Sequence, residues 1–146
     1  MITEAELKKI STIEENANKE LVLQFYASAQ SGDSKQILSP QFVGNAPGMP
    51  HFDRDGFLKG LSDLYAAFPD GHYVNDDVVV EGDKVVTSER FLGTHKGEFR
   101  GIPPTGKQIT LTAVHIDRVV GGKIVERVRM SDSAELARQI KPDSTS

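Results

Sequence analysis

The stretch TAVHIDRVVGGKIVERVRMS, Thr112–Ser131, decides the fold. Apolar and polar residues alternate on both sides of a Gly-Gly pair, the mark of two antiparallel strands joined by a tight turn. Two registers compete. A three-residue loop, Gly121-Gly122-Lys123 with Gly122 left-handed, pairs Val120 with Ile124, Arg118 with Glu126, Ile116 with Val128 and Val114 with Met130 on one face. The other face then matches Asp117 with Arg127, His115 with Arg129 and Ala113 with Ser131. A two-residue turn would set His115 against Val128 and Arg127 against Ile116. The first register pairs charge with charge and apolar with apolar, so it is the expected one. One face is then apolar and the other carries a polar row. A polar row turned toward covering helices marks a pocket, because buried polar groups need partners or a ligand.

Upstream the same period of two continues. Lys107–Val120, Lys84–His95 and His72–Glu81 read as strands, separated by the rigid loop Gly101–Gly106 and by the turn Gly82-Asp83. Before His72 the period becomes helical. Phe57, Leu61, Leu64, Tyr65 and Phe68 lie on one helix face, with Asp53 as its cap and Pro69 as its stop. Gln41–Asn45 reads as a small strand, and Asp33 caps a short helix through Leu38 that Ser39-Pro40 ends. Thr3 and Glu6 form a capping box for the first helix, in which Ile10, Ile13, Ala17, Leu21 and Phe25 make one buried stripe. Two more such pairs, Ser11/Glu14 and Thr12/Glu15, leave open whether it is one helix or two. Asp132 or Ser133 caps a last short helix through Ile140. Helices first and an antiparallel meander second give an α+β fold, one domain over 1–140 with a polar, mobile tail at 141–146.

Composition narrows the function. The 146 residues are 38% apolar and 26% charged, with 17 basic and 21 acidic side chains and a net charge of −4. No long basic run is present, so neither nucleic acid nor an anionic membrane is expected as a partner. Cysteine is absent, which excludes disulfides, thiolate metal sites and cysteine nucleophiles. The first residues lack the basic and apolar parts of a secretory signal, and no 18 apolar residues run together, so a cytoplasmic location is expected. The four histidines, His51, His72, His95 and His115, have no metal-binding spacing, and no dinucleotide, phosphate-loop or serine-elbow motif occurs. Neither metal nor cofactor is expected.

Several pieces in order carry a resemblance: LVLQFYASAQSGD at Leu21–Asp33, AAFPD at Ala66–Asp70, EGDKVV at Glu81–Val86, GTHKGEFRGIPPTGK at Gly93–Lys107, VHIDRVVGGKIVERV at Val114–Val128, then Asp132 and LARQI at Leu136–Ile140. The chain resembles the SnoaL-like polyketide cyclase (ester cyclase) family from about Leu21 to Ile140. The resemblance implies a nuclear transport factor 2-like cone, a curved sheet wrapped round helices, with a deep apolar pocket and homodimers joined through the sheet. It also implies ring closure by an intramolecular aldol reaction without metal or cofactor. In the family an Asp on the last strand is the general acid/base, and a His on the preceding strand lies in the pocket. That His matches His115. An ungapped alignment puts Arg129 at the position of the Asp, and a guanidinium cannot take up a proton at working pH. Asp132 stands three residues on, where the family commonly has another Asp.

The candidates follow. His115, Asp132 and Glu89 are the acid/base candidates, against a satisfied core histidine, a helix cap and a solvated or ion-paired sheet residue. Arg129, His95, Asn45 and Tyr26 are the ligand-contact candidates. Arg129 could instead pair with Asp117 or Glu89, and His95 could hold its loop, while Tyr26 and Tyr65 could simply be core. The leading function is proton transfer, an aldol cyclisation or isomerisation, on a small apolar carbonyl compound. The alternatives are a small-ligand binder that kept the cone and lost the chemistry, and a structural dimer module with a filled pocket. If Arg129 faces the pocket, it should lower the pKa of His115, and the apolar ligand should be anionic. A homodimer through Val114, Ile116, Val128 and Met130 is expected.

Overall fold

The structure, a computed structural model, describes residues 1–143, so residues 144–146 of the expected tail lie outside the described residues. Helix α1 spans Glu4–Ser28 without a break. Its capping box forms, with Glu6 N donating to Thr3 Oγ1 (3.1 Å) and Thr3 N to Glu6 Oε2 (2.9 Å). The further Ser and Thr do not restart it: Ser11 Oγ donates to Glu15, and Thr12 Oγ1 to the Lys8 carbonyl. The expected stripe is buried only in its second half. Val22, Phe25 and Tyr26 are buried, whereas Ile10 and Ile13 are 44% and 60% exposed. The helix meets the turn end of the sheet where Glu15 accepts from Gly82 N and Asn18 Nδ2 donates to Gly82 O. Everything before that runs past the sheet.

A short 3-10 turn, Asp33–Gln36, follows instead of a helix reaching Leu38. Strand β1 then runs Leu38–Asn45, straight through Pro40. Proline, with no N–H to give, is tolerated there because the ladder lapses: Leu38 pairs with Ile124, and the next pair is Val43 with Glu126. Strand β2, Phe52–Asp53, leads into α2, Arg54–Ala67, whose first turn Asp53 caps by accepting from Gly56 N at 2.8 Å. Four strands follow: β3 (His72–Glu81), β4 (Lys84–Thr94), β5 (Gln108–Val120) and β6 (Lys123–Ser131), then α3 (Ser133–Gln139). They form one curved six-stranded sheet in the order β2-β1-β6-β5-β4-β3, antiparallel except for β1 beside β6. The segment read as a small strand is thus an interior member of the sheet.

The last hairpin corrects one expectation and keeps its consequence. Gly121 and Gly122 have φ of 58° and 74°, a two-residue turn with both central residues left-handed, so Val120 pairs with Lys123, not with Ile124. A bulge at Val125 then adds one residue to β6. Beyond it the pairs are those expected: Arg118 with Glu126, Asp117 with Arg127, Ile116 with Val128, His115 with Arg129, Val114 with Met130 and Ala113 with Ser131.

Burial alternates strictly along β5, with Ile109, Leu111, Ala113, His115, Asp117 and Val119 turned inward toward the helices. The opposite face leaves Val114, Ile116 and Met130 exposed at 39%, 38% and 57%. Two apolar clusters fill the concave side. One joins α1 to β1 and β6 around Phe25, Phe42 and Ile124; the other joins the end of α2 to α3 around Phe68, Phe91 and Ile140. Polar residues occupy the inward face between them.

Candidate functional site

Three strands deliver six polar side chains to that inward face. Thr87 and Glu89 come from β4, His115 and Asp117 from β5, and Arg127 and Arg129 from β6. Register sets them in ranks: Thr87, His115 and Arg129 lie abreast, as do Asp117 and Arg127. Above them opens a cavity of about 240 Å³. Its walls are Phe52, Phe57, Leu61 and Leu64 on the side of α2, Leu111 and Leu136 opposite, and Phe99 with Arg100 from the loop after β4; Tyr73, His115, Arg127 and Arg129 also line it.

Arg127 and Asp117 form the fixed part. The guanidinium donates from Nε to Oδ1 at 2.6 Å and from Nη2 to Oδ2 at 2.9 Å, and both residues are buried. It also lies 4.4 Å over the Phe25 ring. Burial is the largest single influence and opposes its charge, but Asp117 together with Tyr26 and Glu89 outweighs it and keeps the guanidinium protonated. A planar fork met by a carboxylate and an aromatic face is the setting that suits arginine.

Tyr26, from α1, bridges this pair to His115. Its hydroxyl lies 2.5 Å from His115 Nδ1 and accepts from Arg127 Nη2 at 3.4 Å. Burial raises the phenol's pKa, so the hydroxyl keeps its proton. With its oxygen accepting from Arg127, that proton points to Nδ1, which assigns the ring's own proton to Nε2. Burial first, then the charges of Arg127 and Arg129, hold His115 well below 6.5, so the imidazole is neutral at pH 7. The direction expected from Arg129 is present, but burial leads and Arg127 contributes before it. Nε2 has no partner in the protein.

Glu89 lies behind the histidine, 2% exposed, with Oε1 3.5 Å from Nδ1 and Oε2 without a partner. Burial pushes its carboxyl up to about 7, against the pull of Arg127 and Arg129. Beside a neutral imidazole this contact is not an ion pair. Tyr73 lines the cavity with Tyr65 packed edge-on behind it, and burial with the nearby Glu89 raises both phenols, Tyr65 to about 12.

Arg129 is half-buried and lines the cavity; its Nε is buried with no partner. Neither expected ion-pair partner holds it, since Asp117 is taken by Arg127 and Glu89 makes no contact with it within 4.0 Å. Asp132 corrects the reading that made it a base. It caps α3, Oδ1 accepting from Glu135 N at 3.0 Å, its side chain is largely exposed, and it does not line the cavity. His95 is likewise away from the cavity: it is fully buried, and its Nδ1 accepts from Thr105 N at 3.2 Å and meets Thr105 Oγ1 at 3.0 Å, which holds the loop. Asn45 stops just short of the cavity, where its neighbour Ala46 is the lining residue; its Oδ1 is buried without a partner. Tyr26 does not line the cavity and reaches it through His115.

The loop between β4 and β5 is fastened at its base. His95 N donates to Lys107 O and Gly106 N to His95 O, while Lys96 N and Gly97 N both donate to Ala67 O. A side chain at Gly97 would put its Cβ 2.3 Å from the Ala66 carbonyl oxygen, so only glycine allows this approach. The fastening delivers Phe99 and Arg100 to the cavity.

Sequence reasoning missed Arg100, on the loop after β4, and Arg127. Arg127 was expected opposite Asp117 on the pocket face, and that pairing was itself the signal for a second arginine in the site.

The sequence and the fold match a known group. The sequence profile of the SnoaL-like polyketide cyclases matches residues 20–140. The chain belongs to that family. Among solved structures, this SnoaL-like chain is similar to AclR of Streptomyces galilaeus, a proposed hydroxylase, at 26% identity and a TM-score of 0.80, over 90% of this chain and 86% of that one. It is also similar to IdmH of Streptomyces antibioticus, a proposed polyketide cyclase, at 31% identity and a TM-score of 0.75, over 84% and 97%. A SnoaL-like protein of Jannaschia, at 23% identity and a TM-score of 0.78 over 88% and 95%, shares the fold. No curated protein matches the chain. Among the described residues no helix is long and apolar enough to cross a membrane.

Proposed function

We propose that this SnoaL-like chain moves protons on a small apolar carbonyl compound, in an aldol cyclisation or an isomerisation, without a cofactor. One observation carries the reading: a neutral, buried His115 keeps one ring nitrogen unpartnered at an apolar cavity, with a carboxyl poised near 7 behind its other nitrogen. In the resting tautomer, which Tyr26 favours, Nε2–H holds the substrate carbonyl oxygen on binding, and Arg129 adds positive charge where an enolate oxygen develops. For deprotonation the ring works in its other tautomer. Nε2 accepts the α-proton of the substrate as Nδ1 passes its own proton to Glu89. In the second half Glu89 returns a proton to Nδ1 while Nε2–H protonates the new alkoxide or the isomerised carbon. Protons balance over the cycle. A carboxyl near 7 suits this reservoir role, because it both accepts and releases at neutral pH.

Arg129 at the position of the family's Asp favours a second reading, a ligand-binding protein without chemistry. Exchange of the α-protons of 2-tetralone in D2O, followed by proton NMR, separates the two. The protein should speed exchange over buffer by at least about 10²-fold. His115→Gln should lose this, and Glu89→Gln should flatten the pH profile near 7. No acceleration with 2-tetralone and other two-ring ketones that bind would leave the binding reading. We also propose a homodimer closed over Val114, Ile116, Val128 and Met130, since a contiguous apolar patch is rarely left in water, and action in the cytoplasm, which a cysteine-free chain suits.

A further inference from the structure

The cavity wall holds three arginines, Arg100, Arg127 and Arg129, and not one carboxylate, in a chain whose net charge is −4. Arg127 is neutralised by Asp117. The side chains of the other two make no hydrogen bond or ion pair among the described residues, Arg100 exposed to solvent and Arg129 half-buried. Arg129 shows the consequence most sharply: folding has taken its Nε out of water and given it nothing in return. An unmade bond to a buried charged donor is costly, and a ligand acceptor recovers that cost. Arg100 is held over the Phe99 ring at 5.0 Å, on a backbone with φ of 49°, a left-handed conformation that a non-glycine residue adopts at a cost. Its loop is tied to the end of α2 by two hydrogen bonds, so this cation is presented to the cavity by built structure.

We propose that the cavity selects a small apolar molecule bearing a carboxylate, whose anion lies against Arg129 with Arg100 as the second cation at the wall. A ring system fits between Phe57, Leu61, Leu111 and Leu136. The cavity volume of about 240 Å³ is below the ~300–1,000 Å³ usual for drug-sized ligands, which points to a body of one or two rings. Because the anion is present before any reaction, its effect is on equilibrium binding. The inference therefore rests on the cavity being a ligand site, not on the proton chemistry proposed above.

Equilibrium binding of 2-naphthoate and of 2-naphthamide, two probes that share rings and differ in charge, tests it. The chain contains no tryptophan, so naphthalene fluorescence is read against tyrosine alone. Naphthoate should bind at least roughly tenfold more tightly than the amide, the gain expected for a hydrogen bond to a charged group. Arg129→Leu should abolish that preference by weakening naphthoate far more than the amide, while Arg129→Lys should keep part of it and Arg100→Leu should reduce it less. If Arg129→Leu does not fold, the wild-type comparison and Arg129→Lys decide. Equal affinity for the two probes, binding of neither, or an undiminished preference in folded Arg129→Leu overturns the proposal. The ketone-exchange assay can fail while this one succeeds, and the reverse, so the two readings fall separately.

Discussion

Glu89→Gln should make the protein more stable, by an amount that depends on pH in a prescribed way. In the unfolded chain the carboxyl titrates near 4.5, and in the folded protein burial raises it to about 7. Below the lower value both states hold the proton, and Glu89 behaves as a neutral group. Between the two values the folded state still holds the proton that the unfolded state has released, so stability falls as pH rises. Above about 7 the loss is complete and amounts to about 3 kcal/mol. Glutamine, nearly the same shape and never charged, escapes all of it. The stability difference, variant minus wild type, should therefore climb by about 3 kcal/mol between pH 4.5 and about pH 8 and then level off. His115 titrates in the opposite sense: neutral when buried, it loses stability as pH falls below its unfolded value of 6.5. Both proteins carry that term and it is confined to low pH, so the rise above pH 6.5 reports the carboxyl. Urea melts followed by circular dichroism across this range would give the curve. A flat difference would refute the raised carboxyl. A difference that falls with pH would show instead that Glu89 is an anion paired with an imidazolium, and the proton reservoir would go with it.

Three further outcomes follow from the same geometry. Asp117→Asn leaves the Arg127 guanidinium buried without its counter-charge and should lower stability by about 3–5 kcal/mol in denaturant melts. Tyr26→Phe removes the donor that assigns the His115 tautomer; nitrogen NMR of the ring should show the proton on Nε2 in the wild type and a mixture in the variant. Ile116→Lys should turn the proposed homodimer into monomer or aggregate in sedimentation velocity, and an unchanged dimer would exclude the outer sheet face as its interface.

What could be read from the chain was what local pattern controls. The alternation from Ala113 to Asp117 and from Arg127 to Ser131 placed His115, Asp117, Arg127 and Arg129 on one face, because side-chain direction in a strand is set by parity. The caps Thr3, Asp53 and Asp132 were equally legible, since a cap is satisfied within three residues. Legibility ended where a distant segment decides. Whether Ile10 and Ile13 are buried depends on how far the sheet reaches along α1, and whether Pro40 breaks a strand depends on the ladder beside it. Which carboxylate Arg129 would meet was open for the same reason: Asp117 could serve either arginine until their depth in the fold was known. Asp132 looked like a replacement base only because sequence counts residues, whereas the strand ends at Ser131 and the next residue turns away into a cap.

The bulge at Val125 has a meaning beyond pairing. Beside it β1 lapses from its ladder between Leu38 and Val43, so two neighbouring strands carry surplus chain at one latitude of the sheet. Surplus residues bend a strand and increase its twist. Deleting Val125 would leave every later pair, Asp117 with Arg127 and His115 with Arg129, opposite its present partner. The chemistry would be intact and the curvature reduced. Depth in such a vessel is then an inherited property of strand length, adjustable one residue at a time without touching the groups at its base.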